Sequence, residues 1–310
     1  MMREKDRIDL LTIGETVMDF ITTAMVDSVD KSITYQRYVG GSPANIAINV
    51  SRLGFSSALI SRIGNDAFGD LIQRVLKEKK VNTTGIQRDE KHKTTIIFVT
   101  RSTSTPEVLH YRGADKYLEF TDSARSLIDS ARIVHFSGFA LSQSPCRESL
   151  KVMKEYALKK GKIITFDPCF HEPLWDNPKE GRRIFEEFIS DFFIIKPSLD
   201  DMTRLWGSIT PEEGIKRYHH LGAKNVVLTM GAEGLLFSDG KKLVKLESRP
   251  VEVLDVTGAG DSFWSGLYGG LLLEKSLMEA VNIGLKTASI TVQHMGAIAP
   301  LPPIYELINE

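Results

Sequence analysis

The chain has 310 residues, 42% hydrophobic and 25% charged, which is ordinary for a globular protein and enough for one large α/β domain or two smaller ones. Lys plus Arg number 39 against 40 Asp plus Glu, a net charge of −1, so nothing electrostatic points to nucleic acid or an anionic membrane as a partner. The two cysteines, Cys146 and Cys169, match no zinc spacing and suggest no disulfide framework, which fits a reducing compartment.

Ile8 to Ile13 reads as a buried first strand ending in Gly14. Charges at Asp9, Glu15 and Asp19 interrupt any signal-peptide core, and no uncharged apolar run approaches the roughly 20 residues of a membrane helix, so a cytoplasmic location is expected. Ile33 to Val39 has the alternation of a half-exposed strand. Gly40-Gly41-Ser42-Pro43 is a turn, and Pro43 is placed to start a helix over Ala44 to Leu53, closed by Gly54. Ser57 to Ile63 is a second buried strand, and Asp70 to Lys80 a helix. Thr94 to Arg101 and Val108 to Arg112 form a strand pair joined by residues 102–107. Regular alternation follows: helix 122–130 and strand 132–137, helix 145–160 and strand 162–167, helix 179–190 and strand 192–195, helix 211–222 and strand 225–230. Such alternation means a parallel sheet with helices on both faces. No repeat or linker breaks the chain, so one domain is expected, with segments 15–39 and 92–118 as a small β appendage.

Asp255-Val-Thr-Gly-Ala-Gly-Asp261 runs from a strand-like segment, Val251 to Val256, through small residues into an apolar, helix-like segment. Small residues admit close backbone approach, and a helix start offers unpaired N–H donors and partial positive charge, so the place suits phosphate. Asp261 sits at its mouth. It either caps the helix or accepts a proton from an attacking hydroxyl, and the glycines serve either a ligand or a tight turn. Other stretches carry candidates of the same double character. Asp19 lies just past the first strand, where parallel sheets bind ligands, or is a solvated loop carboxylate. Asn45, one turn into its helix, suits sugar hydroxyls or merely decorates a helix start. Arg112 ends an appendage strand and either reaches a cleft or is a surface charge. Thr229-Met-Gly231-Ala-Glu-Gly234 lets a nucleotide lie against the backbone, or is a hairpin turn. No Gly-x-x-x-x-Gly-Lys-Ser/Thr occurs, and Phe263 stands where a dinucleotide fingerprint needs its third glycine, so neither a P-loop enzyme nor a dehydrogenase is expected.

In this order the pieces resemble the ribokinase-like carbohydrate kinases, the PfkB family, over nearly the whole chain. Gly40-Gly41-Ser-Pro-Ala-Asn-Ile-Ala-Ile-Asn-Val-Ser-Arg-Leu-Gly54 is similar to the family's N-terminal signature, Ile63 to Gly69 to the stretch after it, and Asp255 to Tyr268 to the C-terminal signature. The resemblance implies a three-layer α/β/α sandwich with a mostly parallel central sheet and a small β lid, as one domain over 1–310. It implies an ATP-dependent, magnesium-using sugar kinase. Gly258, Ala259 and Gly260 would form the anion hole, and Asp261 would be the base. Asp19, Gly40, Gly41 and Asn45 would hold the sugar, with Arg112 and His171 beside it. Asp255 would touch sugar hydroxyls or, with Thr257, a monovalent cation such as K+. Thr229, Gly231 and Gly234 would lie along the nucleotide. Ser198 and Asp201 stand where the family shows Asn-x-x-Glu, an element tied to magnesium and phosphate, and are shorter or weaker substitutes.

Asp167-Pro-Cys169-Phe-His171-Glu-Pro-Leu-Trp175 resembles a fructokinase stretch in which Cys169 replaces Asn and His171 replaces Arg. Arginine pairs a carboxylate through its planar fork, which a mostly neutral histidine does not do. An uncharged hexose, fructose first, is therefore expected as substrate. 5-Dehydro-2-deoxygluconate and 2-keto-3-deoxygluconate are the alternatives, and a sugar- or nucleotide-binding protein without turnover is the reading of another class. Pairing of two copies through the lid is also implied by the resemblance.

Overall fold

The computed structural model describes residues 7–101, 106–175 and 177–309. Its centre is β1 (Ile8–Ile13), of which only Asp9 is not buried. A strand covered on both faces reads as an apolar run, and the neighbours of β1 do too. It pairs in parallel with β4 (Ser57–Gly64) on one side and β8 (Ala131–Ser137) on the other. β5 (Asn82–Asp89) continues the sheet beyond β4. Beyond β8 come β9 (Ile163–Asp167), β10 (Ile194–Ile195) and β11 (Val226–Thr229), all parallel. The antiparallel hairpin of β12 (Leu235–Ser238) and β13 (Leu243–Leu246) closes the nine-stranded sheet. Helices connect and cover it: α1 (Ser42–Arg52), α2 (Ala67–Glu78), α3 (Asp122–Ser130), α4 (Gly138–Leu141), α5 (Cys146–Lys159), α6 (Pro178–Phe188), α7 (Leu199–Trp206), α8 (Pro211–His220), α9 (Ala259–Leu272), α10 (Leu277–Thr291) and α11 (Ile304–Asn309).

A second, four-stranded sheet stands on this body, in the order β3 (Tyr35–Gly40), β2 (Val17–Met25), β6 (Ile96–Arg101), β7 (Val108–Tyr111). Its segments coincide with the expected appendage, although residues 102–105 of the β6–β7 connection lie outside the described residues. Tyr38, Asp19, Ile97 and His110 are paired across its four strands and so share one face. Among the described residues, no helix is long and apolar enough to cross a membrane.

Helix starts follow local chemistry. Asp66 accepts from the backbone N–H of Phe68 and Gly69 and caps α2, which therefore begins earlier than the expected residue 70. α1 likewise begins at Ser42 rather than Ala44. One expectation fails. Val251 to Val256 is not a strand: Val253, Leu254 and Val256 are 58%, 58% and 69% exposed, and β13 already holds the sheet edge. The segment is tied instead through Leu254 and Asp255 N–H to the Val292 carbonyl at the end of α10. A β-branched run without a neighbouring strand has nothing to pair with.

α9 is placed by glycines. A Cβ on Gly266 would overlap Thr287 Oγ1 and stand 2.7 Å from the Ile283 carbonyl, and one on Gly270 would stand 2.6 Å from Ala280 Cα. α9 and α10 are close because of these absences. Gly266→Ala is therefore expected to destabilise the protein by roughly 1–3 kcal/mol despite its better helix propensity, read as a lower denaturant midpoint.

Candidate active site

β1 is the point where the strand order reverses: the chain passes to β4 and β5 on one side, then returns to β8 on the other. In such sheets ligands bind beyond the strands' carboxyl ends at that crevice. Gly14 ends β1 there with φ +152, and a Cβ on it would stand 2.9 Å from that of Ser137 at the end of β8.

Two helices start in this crevice and face one another. α1 is capped by Gly41 (φ +97) and α9 by Gly258 (φ +77). Both φ values lie where glycine is favoured. A side chain on Gly41 would stand 2.6 Å from the Glu15 carbonyl, and one on Gly40 would overlap the Asp19 carboxylate. Gly258 packs against Ala297, whose Cα stands 2.5 Å from where a Cβ would be. Asp261, in the first turn of α9, lies between the two helix starts. Its Oδ1 accepts from Ser42 Oγ at 2.6 Å and its Oδ2 from Asn45 Nδ2 at 2.9 Å. Asn45 Oδ1 is buried and unpartnered. Depth in the cleft pushes the Asp261 carboxyl up to about 6, while Ser42 and Asn45 hold it down; Asp167 raises it and Lys196 lowers it. Asp261 is half-buried at the mouth.

Asp19 reaches the same crevice from lid strand β2. Burial and the charge of Asp261 push it up to about 7. It lines a cavity of about 320 Å³ between lid and body, with Tyr38, Thr257, Gly296 and Ala297 among the walls. Beneath the glycine loop lies a buried ion pair. Lys196 Nζ is 3.2 Å from Asp167 Oδ2, which also accepts from Trp264 Nε1 at 2.8 Å. Burial opposes the lysine's charge, but Asp167, Cys169 and Asp201 outweigh it and hold the ammonium above its ordinary value. A Cβ on Gly260 would be 3.4 Å from that ammonium, so a fixed cation sits under the loop.

The structure gathers most of the expected residues, with three differences. Ala259 N–H, expected to face phosphate, donates to the Val256 carbonyl at 3.2 Å because the chain turns there into α9; Gly260, next in the first turn, has no partner within the helix. Arg112, expected at the sugar, is drawn into the hinge between lid and body: it pairs with Asp115 at 2.5 Å, donates to Ser142 Oγ at 2.9 Å and lies over the Phe139 ring. Asp201, expected at a metal, has Oδ1 on Phe170 N–H at 2.7 Å and Oδ2 on the Ser198 N–H and hydroxyl, as the capping box of α7. It fits magnesium only through water. Among the described residues, no three His, Cys, Asp or Glu are grouped to hold a metal. Magnesium bound chiefly by water and substrate phosphates needs no such cage.

Asp255 fits an alkali ion better. Partial burial works against its charge, but Thr257 N–H on Oδ1 at 2.9 Å and Gly296 N–H on Oδ2 at 2.8 Å keep the carboxyl below its usual range, with lone pairs to spare. Ser198, past β10, and Thr229, the last residue of β11, are bridged side by side, and Gly231 and Gly234 follow in the β11–β12 turn, with φ +58 and +86. A side chain on Gly234 would overlap the Leu246 carbonyl, so that glycine is needed by the hairpin itself. His171 packs against His110 of the lid at 5.4 Å between ring centroids, with Nδ1 buried and unpartnered. Burial holds both imidazoles below the ordinary range, His110 at about 4.

Sequence reasoning assigned no role to Ser42, Asp167 or Lys196. A lysine directly after an apolar strand was the one available signal, since a charge at a parallel strand's carboxyl end lies in the crevice.

Comparison with known proteins agrees with this geometry. The family described as pfkB family carbohydrate kinase matches residues 7–304. A protein of Thermoanaerobacterium thermosaccharolyticum named ATP-dependent 6-phosphofructokinase is 37% identical over 298 residues, covering 96% of this chain and 92% of the relative. The structure of Halothermothrix orenii fructokinase is 42% identical with a TM-score of 0.84, over 91% of this chain and 98% of that one. A Vibrio cholerae fructokinase double mutant, described as bound to fructose, ADP and potassium ion, is 25% identical with a TM-score of 0.84, over 98% of each chain.

Removing the cation under the loop leaves Asp167 buried with only an indole N–H. Lys196→Met is expected to cost about 3–5 kcal/mol of stability at pH 7, read by thermal unfolding.

Proposed function

The chain belongs to the PfkB family of carbohydrate kinases and is an ATP-dependent sugar kinase, and on that premise we propose that it phosphorylates fructose, with Asp261 as the base. The observation that carries the assignment is the half-buried carboxylate between two helix starts, hydrogen-bonded on both oxygens and raised to about 6. A general base is most useful near that value, ionised at neutral pH and still proton-hungry. The acceptor hydroxyl oxygen attacks the γ-phosphorus of ATP, its proton passes to Asp261, and the bond to the β-phosphate oxygen breaks to release ADP.

Phosphoryl transfer needs position and charge more than covalent help. The amides of Gly258 and Gly260, the start of α9 and the ammonium of Lys196 supply positive potential where the transferred group gathers negative charge. Magnesium, carried on the nucleotide, adds charge neutralisation, with Asp201, Asp255 and Thr257 as its candidate water-mediated partners. Asp255 also suits a potassium ion, as in the potassium-bound relative. Asp19, Asn45 and the peptide at Gly40-Gly41 hold the sugar, and Ser198, Thr229, Gly231 and Gly234 flank the nucleotide. The whole chain acts as one domain, with the four-stranded sheet as lid.

A second acceptor, fructose 6-phosphate, is favoured by one finding, the name of the 37% identical relative. The site favours the neutral sugar. The lid row facing the cleft is Tyr38, Asp19, Ile97 and His110, without a lysine or arginine; Arg37, which also lines the cavity, is paired with Phe20 on the opposite face of the lid sheet. Arg112 is committed to Asp115, and both histidines are held neutral at pH 7. A phosphate dianion asks for permanent cations. The same neutrality speaks against the two deoxygluconate acids.

The other lid face supports a homodimer. Phe98 stacks on Phe20 and meets Tyr35 and Tyr111 edge-on, while Tyr111 and Leu109 are 58% and 44% exposed. Such an aromatic sheet face is costly to leave in water.

ADP release with a panel of fructose, glucose, fructose 6-phosphate and 2-keto-3-deoxygluconate tests the acceptor; fructose is expected to give the highest kcat/KM, and a preference for the phosphate ester would replace this reading. Asp261→Asn is expected to lower kcat by about 10²–10⁴ with little change in KM. The wild-type rate should fall below a pH of about 6, as Asp261 takes up a proton. Leu109→Glu with Tyr111→Glu is expected to yield monomers by sedimentation while the wild type sediments as a dimer.

A further inference from the structure

Ser42 is the first residue of α1, just after the Gly41 cap, and among the described residues its hydroxyl makes no bond to its own helix. Its hydroxyl instead crosses to a residue 219 positions away, Asp261, at 2.6 Å. Among the described residues this is the only hydrogen bond of the hydroxyl. We propose that Ser42 is a positioning residue for phosphoryl transfer: its hydroxyl locks the rotamer of Asp261 and favours its ionised form, so that the base is charged and aimed before the sugar arrives. This rests on Asp261 being the base.

The arrangement leaves room for the reaction. Each carboxylate oxygen has two lone pairs. Ser42 takes one on Oδ1 and Asn45 one on Oδ2, and the acceptor hydroxyl can approach another. Asn45 also offers its unpartnered Oδ1 to a sugar hydroxyl, so this residue serves both Asp261, through Nδ2, and substrate. Ser42 has no such second duty. The other groups around the carboxylate are charged: Asp19 from β2, Asp167 from β9 and Lys196 after β10. Asp167 raises Asp261 and Lys196 lowers it, while the charge of Asp261 raises Asp19 in turn. Burial is the largest influence and drives Asp261 toward its neutral acid, which is useless as a base. The hydrogen bond from Ser42 opposes burial most strongly. Two helix starts facing the same carboxylate act in the same direction.

The sign follows. A donor to the carboxylate lowers its proton affinity, so losing the donor raises it. Ser42→Ala is expected to move the acid limb of the kcat profile upward by about one pH unit, a roughly tenfold loss on that limb that shrinks as pH rises. KM for the sugar should stay within about twofold, since Ser42 is given no sugar contact. Ser42→Thr keeps the hydroxyl and should restore the wild-type profile. Ser42→Cys, of similar size but a weak donor, should behave as Ser42→Ala and keeps the test open if the alanine variant folds poorly. A loss by the same factor at every pH, or an unchanged profile, would overturn the proposal and leave Ser42 as a staple between α1 and α9. Asp261→Asn is measured alongside: if it retains turnover, the base assignment itself has failed, an outcome distinct from an unshifted Ser42 profile.

Discussion

If Asp261 is the base, as proposed, a carboxylate has to sit deep between the starts of two helices and still be reachable by a sugar hydroxyl; the rest of the site depends on meeting both demands. Burial alone would protonate Asp261, and exposure would leave it too weak a base. The fold resolves this with short donors and absent side chains. Gly40 and Gly41 let the end of β3 lie against Glu15 and Asp19, and Gly258 lets the α9 start lie against Ala297. A polar seam then fixes α1 against α9. Asn45 meets Asp261, and one turn along Asn49 Nδ2 meets Ser262 Oγ at 3.3 Å, which in turn accepts from Thr291 of α10 at 2.7 Å. Three helices are keyed together through buried polar contacts, which hold one alignment better than apolar packing does because a shifted helix would strand them.

The charges are arranged by the same economy. Lys196 could have faced Asp261 directly, quenching it as a base. It is paired instead with Asp167, which is itself held by the Trp264 indole. The pair is nearly neutral as a unit, yet its ammonium end lies beneath Gly260, where a phosphoryl group gathers charge. Positive potential is thus concentrated at the loop, and the carboxylate one residue further keeps its basicity.

Legibility from sequence followed the source of each element's stability. β1, β4, β8 and β9 are buried on both faces, so their apolar runs announced them. β5, Asn82–Asp89, was missed because it is polar and lies at the sheet edge, where pairing rather than burial makes the strand. β2 fell inside the expected β appendage 15–39 but was not delimited as a strand, because Asp19 and Thr22 interrupt its alternation; Asp19 lines the cavity between lid and body. Val251 to Val256 was misread for the opposite reason, strand-forming residues without a partner. In the site, the glycine loop and Asp261 were legible because small residues before a helix have few other uses. Ser42 was not, since a serine at a helix start already has an ordinary explanation, and only the approach of α9 shows that its hydroxyl goes elsewhere. The pairing of Arg112 with a buried aspartate three residues on was not legible, because a strand-end arginine looks the same in sequence whatever it faces.

The lid and the base are coupled through two carboxylates that repel. Asp19 belongs to the lid strand β2 and Asp261 to the body, and the charge of Asp261 disfavours the ionisation of Asp19. On the proposed reading, sugar hydroxyls would donate to Asp19 and one to Asp261, which would offset that repulsion and let both carboxylates be ionised with substrate bound. Water, not held by Asn45 or the lid row, would do so less well, so the repulsion between the two carboxylates would also favour a sugar over water as phosphoryl acceptor.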